Sequence, residues 1–341
     1  MTGRIGLDAM GGDHAPAAAV AGAADALAKY LDLRLLLVGR QDEIESELAN
    51  HTVDRSRLEI VHAAEVVEMH ESPVDALRKK PVSSLRRLVA LHKEGRCQAI
   101  FSAGNTGAMV AATTMGLGLL PGVKRAGIAV AFPLPEHPHP AILIDVGANV
   151  ACKPLHLFQY AVMACEFMAR VYGVSKPRVG ILNVGEEEQK GNALAKETRD
   201  LLAASTLEIV GNVEGGDIFA GSCEVIVCDG FVGNIVLKTS EGLSEKLLGA
   251  VFEEVKHIFE GSSGNAGIAE RLRKFAAKFH YAEYGGAPLL GVDGVAVIGH
   301  GRSDRKAMAN ALRWTRQMLD VQIRDSIVGA IEKQSARIAG S

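Results

Sequence analysis

The apolar positions of this chain fall in short unbroken runs, such as Ile5-Gly6-Leu7, Ala99-Ile100-Phe101, Ala141-Ile142-Leu143-Ile144, Val179-Gly180-Ile181-Leu182 and Val225-Ile226-Val227. Runs of this kind, without polar alternation, suit strands buried on both faces of a parallel sheet. Longer segments of helical periodicity separate them. The pattern predicts strands near 4–8, 34–38, 58–62, 97–102, 127–132, 141–145, 178–183, 207–211, 223–228 and 294–298. It predicts helices over 17–31, 41–50, 83–95, 106–118, 155–172, 192–204 and 304–335. Regular alternation of the two implies an α/β fold, a mainly parallel sheet with helices on both faces. Pro133 to Pro140 is a proline-broken link between two short strands and predicts an edge hairpin outside the main sheet.

One stretch breaks the alternation. From Gly233 to Tyr284 no strand pattern occurs. Leu243, Leu247, Leu248, Val251, Phe252, Val255, Ile258 and Phe259 make one helical stripe, Gly261-Ser262-Ser263-Gly264 turns the chain, and Ile268, Leu272, Phe275 and Phe279 begin a second. The reading is a single α/β domain over 1–341 carrying an inserted helical hairpin at 238–284. Both stripes could pack on the parent sheet. The alternative is an outside surface, most often a second copy of the chain, or a partner or membrane met by the basic arm with Arg271, Arg273, Lys274 and Lys278.

The strand ends carry the candidate chemistry. Ile5-Gly6-Leu7 stops at Asp8, Gly11, Gly12, Asp13 and His14, and Pro16 suits the first turn of the helix that follows. Open N–H groups and the helix dipole make such a turn attractive to an anion, although an ordinary capped turn explains Asp13 or His14 equally well. The pattern recurs. Phe101 runs into Ser102, Gly104, Asn105 and Thr106; Ile144 into Asp145 and Asn149; Leu182 into Asn183, Glu186 and Lys190; Val227 into Asp229 and Asn234. A parallel sheet would gather all five ends on one edge, where ligands of open α/β sheets bind. Lys190 is out of place near a helix start, where the dipole disfavours a cation, so it either pairs with Glu186–Glu188 or binds an anion. No Walker loop and no dinucleotide glycine fingerprint follows a strand.

Composition removes some classes. A net charge of −3, 5% aromatic residues and the lack of a Lys/Arg run give no reason to expect nucleic acid. No segment has the length of a membrane span, and no signal peptide is expected because Arg4 leads straight into a strand. The five cysteines, an odd number without close pairing, read as reduced and cytosolic. Cys223 and Cys228 are expected on opposite faces of one strand, and His137 and His139 lack a third ligand, so no metal is expected.

Taken in order, several runs resemble the bacterial phosphate acyltransferases, the acyl-[acyl-carrier-protein]:phosphate acyltransferases of phospholipid synthesis. They are Ile5 to Pro16, Ser102 to Gly107, Asp145 to Asn149, Asn183 to Gly191, Asn212 to Asp217, Asp229 to Gly242 and Tyr284 to Gly301. The resemblance implies a fold related to phosphate acetyltransferases and isopropylmalate dehydrogenases, and a homodimer. It implies transfer of a fatty acyl group from the thioester of acyl-carrier protein to inorganic phosphate, with no cofactor and no metal. The acyl-phosphate would pass to a membrane-bound glycerol-3-phosphate acyltransferase. The cytoplasm is the expected location, with peripheral membrane contact left open. His14, Lys190, Asp229 and Asn234 are the candidate catalytic residues. Asp8, Gly11, Gly12, Asp13, Ser102, Gly104, Asn105, Thr106, Asp145, Asn149, Asn183 and Glu186 are the candidate substrate-binding residues. Three alternatives stand beside this reading: a phosphate acetyltransferase-like enzyme using acyl-CoA, a nicotinamide-dependent decarboxylating dehydrogenase, and a non-catalytic scaffold docking through the hairpin.

Overall fold

The computed structural model describes residues 3–134, 136–258, 271 and 285–339. Its strands are β1 (Arg4–Asp8), β2 (Arg34–Gly39), β3 (Leu58–His62), β4 (Ala99–Ser102), β5 (Gly127–Phe132), β6 (Ala141–Ile144), β7 (Arg178–Leu182), β8 (Glu208–Val213), β9 (Val225–Val227), β10 (Ala287–Leu290) and β11 (Val295–Ile298). The helices are α1 (Ala17–Lys29), α2 (Gln41–Leu48), α3 (Pro73–Lys79), α4 (Ser84–Lys93), α5 (Thr106–Gly116), α6 (Pro154–Tyr172), α7 (Ala193–Ala203), α8 (Asp217–Ala220) and α9 (Gly230–Ile258). Two more follow, α10 (Arg305–Asp320) and α11 (Ile323–Ala339).

All strands join one 11-stranded sheet in the order β3-β2-β1-β4-β11-β10-β5-β6-β9-β7-β8. Its interior residues alternate between two cores. Leu35 and Leu37 face the side covered by α1, α6, α10 and α11, while Leu36 and Val38 face the side covered by α3, α4 and α5. This is period-2 alternation with both faces apolar, which is why the strands read as unbroken runs. The α/β fold with helices on both faces is the one the alternation predicted. Small residues let helices close in: a Cβ added at Gly22 in α1 would lie 2.4 Å from Met308 Cβ in α10.

Several expectations are corrected. The sheet is parallel from β3 to β11 and again from β6 to β8, but β10 runs antiparallel to both its neighbours and β5 antiparallel to β6. The two parallel sections therefore point in opposite directions along the sheet, and their C-terminal ends do not share one edge. The Pro133–Pro140 link joins β5 to β6 inside the sheet, not at its rim. The strand β10 and the short helices α3 and α8 were not anticipated. The helix expected over 304–335 is broken in two, with Gln322 in the left-handed region at φ 51°. The strand expected over 223–228 is only Val225–Val227, so Cys223 and Cys228 flank it, both as free thiols. The first arm of the hairpin begins earlier than 238, as α9 from Gly230; the turn at 261–264 and the second stripe lie outside the described residues.

A half-buried ion pair ties the second parallel section together. Arg178 at the head of β7 donates from its backbone N–H (2.7 Å) and Nη2 (2.7 Å) to the Glu224 carboxylate, and the Glu224 carbonyl accepts from the Ile142 N–H at 2.8 Å. Burial pushes the Glu224 carboxyl up, but the hydrogen bonds and charge of Arg178 outweigh it and hold the pKa below the ordinary value. The folded pKa is thus lower than the unfolded one. The stabilisation is present above the unfolded value and is lost as pH falls through the folded one. Glu224→Gln should lower stability by about 1–3 kcal/mol at neutral pH, with a smaller deficit below about pH 4. Thermal melts of both proteins at neutral and acid pH check this; a deficit constant with pH would show that the charge is not what matters.

Candidate active site

The first cluster lies where β1, β4 and β11 end side by side. Asp8 is buried; its Oδ1 accepts the Met10 N–H (3.1 Å) and its Oδ2 accepts the Ser102 hydroxyl (2.8 Å), while Ser102 Oγ accepts the Gly104 N–H at 3.1 Å. Burial pushes the Asp8 carboxyl above the usual range against hydrogen bonds from Ser84, Ser102 and Met10. A Cβ at Gly11 would meet Gly104 N at 2.7 Å and Asp8 Oδ2 at 2.9 Å, so the turn closes only on glycine. Gly12 takes φ +105°, and the Asp13 N–H donates to Gly301 O at 2.8 Å, tying the opening turn to the loop after β11. Asp13, His14 and Thr106 are exposed at the mouth.

Asn105 is a helix cap, one of the roles its position after β4 allows. Its Oδ1 caps α5 by accepting the Ala108 N–H (3.0 Å), and its Nδ2 faces the carbonyls of Glu68, Met69 and Glu71 at 3.0–3.2 Å. Both ends of the amide are engaged by the backbone. Asp8, Ser102 and Asn105 thus build the turn, and the side chains exposed beside it are Asp13, His14 and Thr106.

The second cluster forms where β6, β9 and β7 end, adjacent and in register at Ile144, Val227 and Ile181. Asp145 is fully buried, and its two oxygens accept the N–H groups of Ile128, Gly147, Ala148 and Asn149 at 2.8–3.1 Å. Burial raises this carboxyl too, against those bonds. Asn149 donates to Ala126 O (2.6 Å) and the buried Tyr160 hydroxyl (2.8 Å), and its carbonyl accepts the Gly230 N–H at 2.9 Å. Asp229 caps α9, its Oδ1 accepting the Phe231 and Val232 N–H groups at 3.0 and 2.9 Å. Asn234, one turn on, is exposed and stands over Gly147.

In the neighbouring loop, Asn183 donates from Nδ2 to Lys190 O (3.3 Å), and Gly191, at φ +93°, lets the chain pass against that amide. Glu186 and Lys190 are exposed, and among the described residues Lys190 forms no ion pair. The pairing with Glu186–Glu188 that would have explained its position does not occur.

The helix α9 connects the two clusters. Asn234, Lys238, Glu241 and Glu245 share one face at i, i+4, i+7 and i+11. Lys238 Nζ lies 2.8 Å from Glu241 Oε2 and 3.2 Å from His300 Nε2, and Arg302 reaches Glu245 at 3.5 Å. The His300 Nδ1 accepts the Arg302 N–H at 3.1 Å. Burial, then the nearby Lys238 ammonium, push the His300 imidazole below its ordinary pKa. Lys238 and His300 were not candidates from sequence. The signal was present, since Gly299-His300-Gly301 after β11 repeats the strand-then-glycine pattern of the other ends.

The chain matches a family model described as "Fatty acid synthesis protein" over residues 3–325. A phosphate acyltransferase of Heliobacterium modesticaldum is 48% identical over 334 residues, 96% of this chain and 99% of that one. The chain belongs to the phosphate acyltransferase family. A second phosphate acyltransferase, from Dictyoglomus turgidum, is 42% identical, covering 98% of this chain and 99% of its own. Among solved structures, a phosphotransacetylase of Streptococcus pyogenes is similar with TM-score 0.62 at 15% identity, covering 93% of this chain and 94% of its own. A branched-chain phosphotransacylase of Enterococcus faecalis V583 follows the same course with TM-score 0.53 at 14% identity, covering 92% and 99%. At that identity the likeness concerns the fold, and it places this chain on the architecture its sequence motifs implied.

The second cluster depends on close backbone approach. A Cβ at Gly233 would lie 1.9 Å from Asp145 O. Gly233→Ala should therefore displace the first turn of α9 and Asn234 with it, costing about 1–3 kcal/mol by overpacking and lowering kcat at least tenfold. Melting temperature together with turnover checks this; wild-type values for both would mean that α9 has room to shift.

Proposed function

We propose that the chain transfers a fatty acyl group from the thioester of acyl-carrier protein to inorganic phosphate. One observation supports this most. The carboxylates of Asp8, Asp145 and Asp229 are engaged by protein donors, whereas His14, Thr106, Lys190 and Asn234 are exposed at the strand ends. Exposed ammonium, amide, hydroxyl and imidazole groups beside helix N-termini suit an anionic nucleophile and an oxyanion. Asp13 and Glu186 are exposed too, each in a loop that also carries one of these donors.

Phosphate is already an anionic nucleophile near neutral pH. Its oxygen attacks the thioester carbonyl carbon, forming a C–O bond while the carbonyl electrons move onto oxygen. The exposed Asn234 amide donates to that oxyanion, and Lys190 holds the phosphate. Collapse breaks the C–S bond and expels the thiolate, which takes a proton from His14 or water. The acyl-phosphate then serves a membrane-bound glycerol-3-phosphate acyltransferase. No described helix is long and apolar enough to cross a membrane. We place the dimer contact on the distal half of α9, where Leu243, Leu247 and Val251 are exposed and Phe252 and Val255 half-buried.

Lys190→Ala should raise KM for phosphate at least tenfold with little change in stability, since an exposed, unpaired lysine contributes little to the fold. Release of carrier thiol from acyl-carrier protein, measured against phosphate concentration, decides; wild-type phosphate kinetics would remove Lys190 from the site. His14→Ala should lower kcat more than KM, and turnover unchanged across neutral pH would take His14 out of the mechanism. Running the same assay with acyl-CoA separates the two donors.

Leu247→Asp together with Val251→Asp should yield monomers, because a buried unpaired carboxylate is costly. Sedimentation measures this, and an unchanged dimer would move the contact elsewhere.

A further inference from the structure

Five apolar side chains stand in solvent at the second cluster, each close in sequence to one of its polar residues. Val150 follows Asn149 and is 69% exposed; Val184 follows Asn183 and is 82% exposed. Phe231 and Val232, whose N–H groups Asp229 caps, are 57% and 37% exposed, and Ile235, after Asn234, is 51% exposed. Single exposed apolar residues are ordinary, but a group on one sheet edge is not. The edge brings them together, because β6, β9 and β7 are neighbours in register and the Gly230 N–H to Asn149 O bond sets the 149–150 and 230–231 backbones side by side.

Phe231 and Ile235 are set apart from the distal face of α9, while Val232 turns toward it. At about 100° per residue, Phe231 and Ile235 lie within about 40° of each other, while Leu243 and Leu247 lie about 120–160° round from Phe231. Further along the helix, Val236 and Leu237 pack on the core. A protein seated across all five side chains would also cover Asn234, which lies among them on α9, and the loop that carries both Val184 and Lys190. The occupant must therefore leave those polar groups reachable and be narrow, apolar and joined to the reacting carbon.

We propose that Val150, Val184, Phe231, Val232 and Ile235 form the seat of the alkyl chain of the acyl donor. The tail runs from the carbonyl over Asn234 across the first turns of α9. This rests on the acyl-transfer reading above and adds where specificity for chain length resides. Each methylene held against the patch should favour binding by about fourfold.

The test is a chain-length series, butyryl, octanoyl and palmitoyl thioesters, with wild type and the double variant Phe231→Ser, Ile235→Ser. The palmitoyl-to-butyryl ratio of kcat/KM should fall at least tenfold in the variant. A dansylated undecanoic acid, titrated without donor or phosphate, should bind the wild type and bind the variant at least tenfold more weakly. Val184→Ser, in a loop and exposed, should move both readouts in the same direction should the double variant fail to fold. An unchanged ratio with unchanged probe binding overturns the proposal, as does a variant that only dissociates to monomers or only loses adhesion to anionic phospholipid vesicles. A wild type that binds the probe at this patch but transfers nothing to phosphate would overturn the acyl-transfer reading and leave the apolar seat standing.

Discussion

The carboxylate of Asp145 is the constraint on which the rest of the second cluster depends. It is buried, it accepts backbone N–H groups from the Ile128 strand and from the whole Gly147–Asn149 turn, and its own carbonyl lies against Gly233 of α9. A buried charge is tolerated only when its hydrogen-bonding capacity is filled, and here the filling defines the shape of the turn. With the turn fixed, α9 has one way to start, and Asn234 is carried to the mouth. Asp8 performs the equivalent task in the first cluster, through Ser102 and the Met10 N–H.

This division of labour separates two kinds of polar residue. Those with saturated hydrogen bonds shape the loops, and those left open to solvent face whatever enters. A rule that treats every polar residue after a strand as a ligand group merges the two, as the reading of Asn105 and Asp145 illustrates. Both belong to the site in the sense that nothing there would keep its place without them. The helix α9 then joins the clusters through Lys238, Glu241 and His300, so that displacement of the helix would be felt at the opening turn.

What the chain by itself determined is the local grammar. Unbroken apolar runs gave strands at their correct positions, small-residue segments gave helices, and the strand-then-glycine pattern marked the loops that carry the chemistry, because each of these depends on neighbours in sequence. Short elements such as β10 and α3 escaped, since a few residues carry too little periodicity. Tertiary structure alone decided the direction of the two parallel sections, because strand direction depends on which strands pair at β10, β5 and β6, and pairing partners leave no local trace. It also decided which polar groups are engaged. The sequence shows that Asn105 and Lys190 follow strands, but only packing shows that the amide meets the carbonyls of Glu68, Met69 and Glu71 while the ammonium meets no carboxylate among the described residues. Hydrogen-bond saturation is a property of distant segments brought within about 3 Å, and no spacing along the chain encodes it.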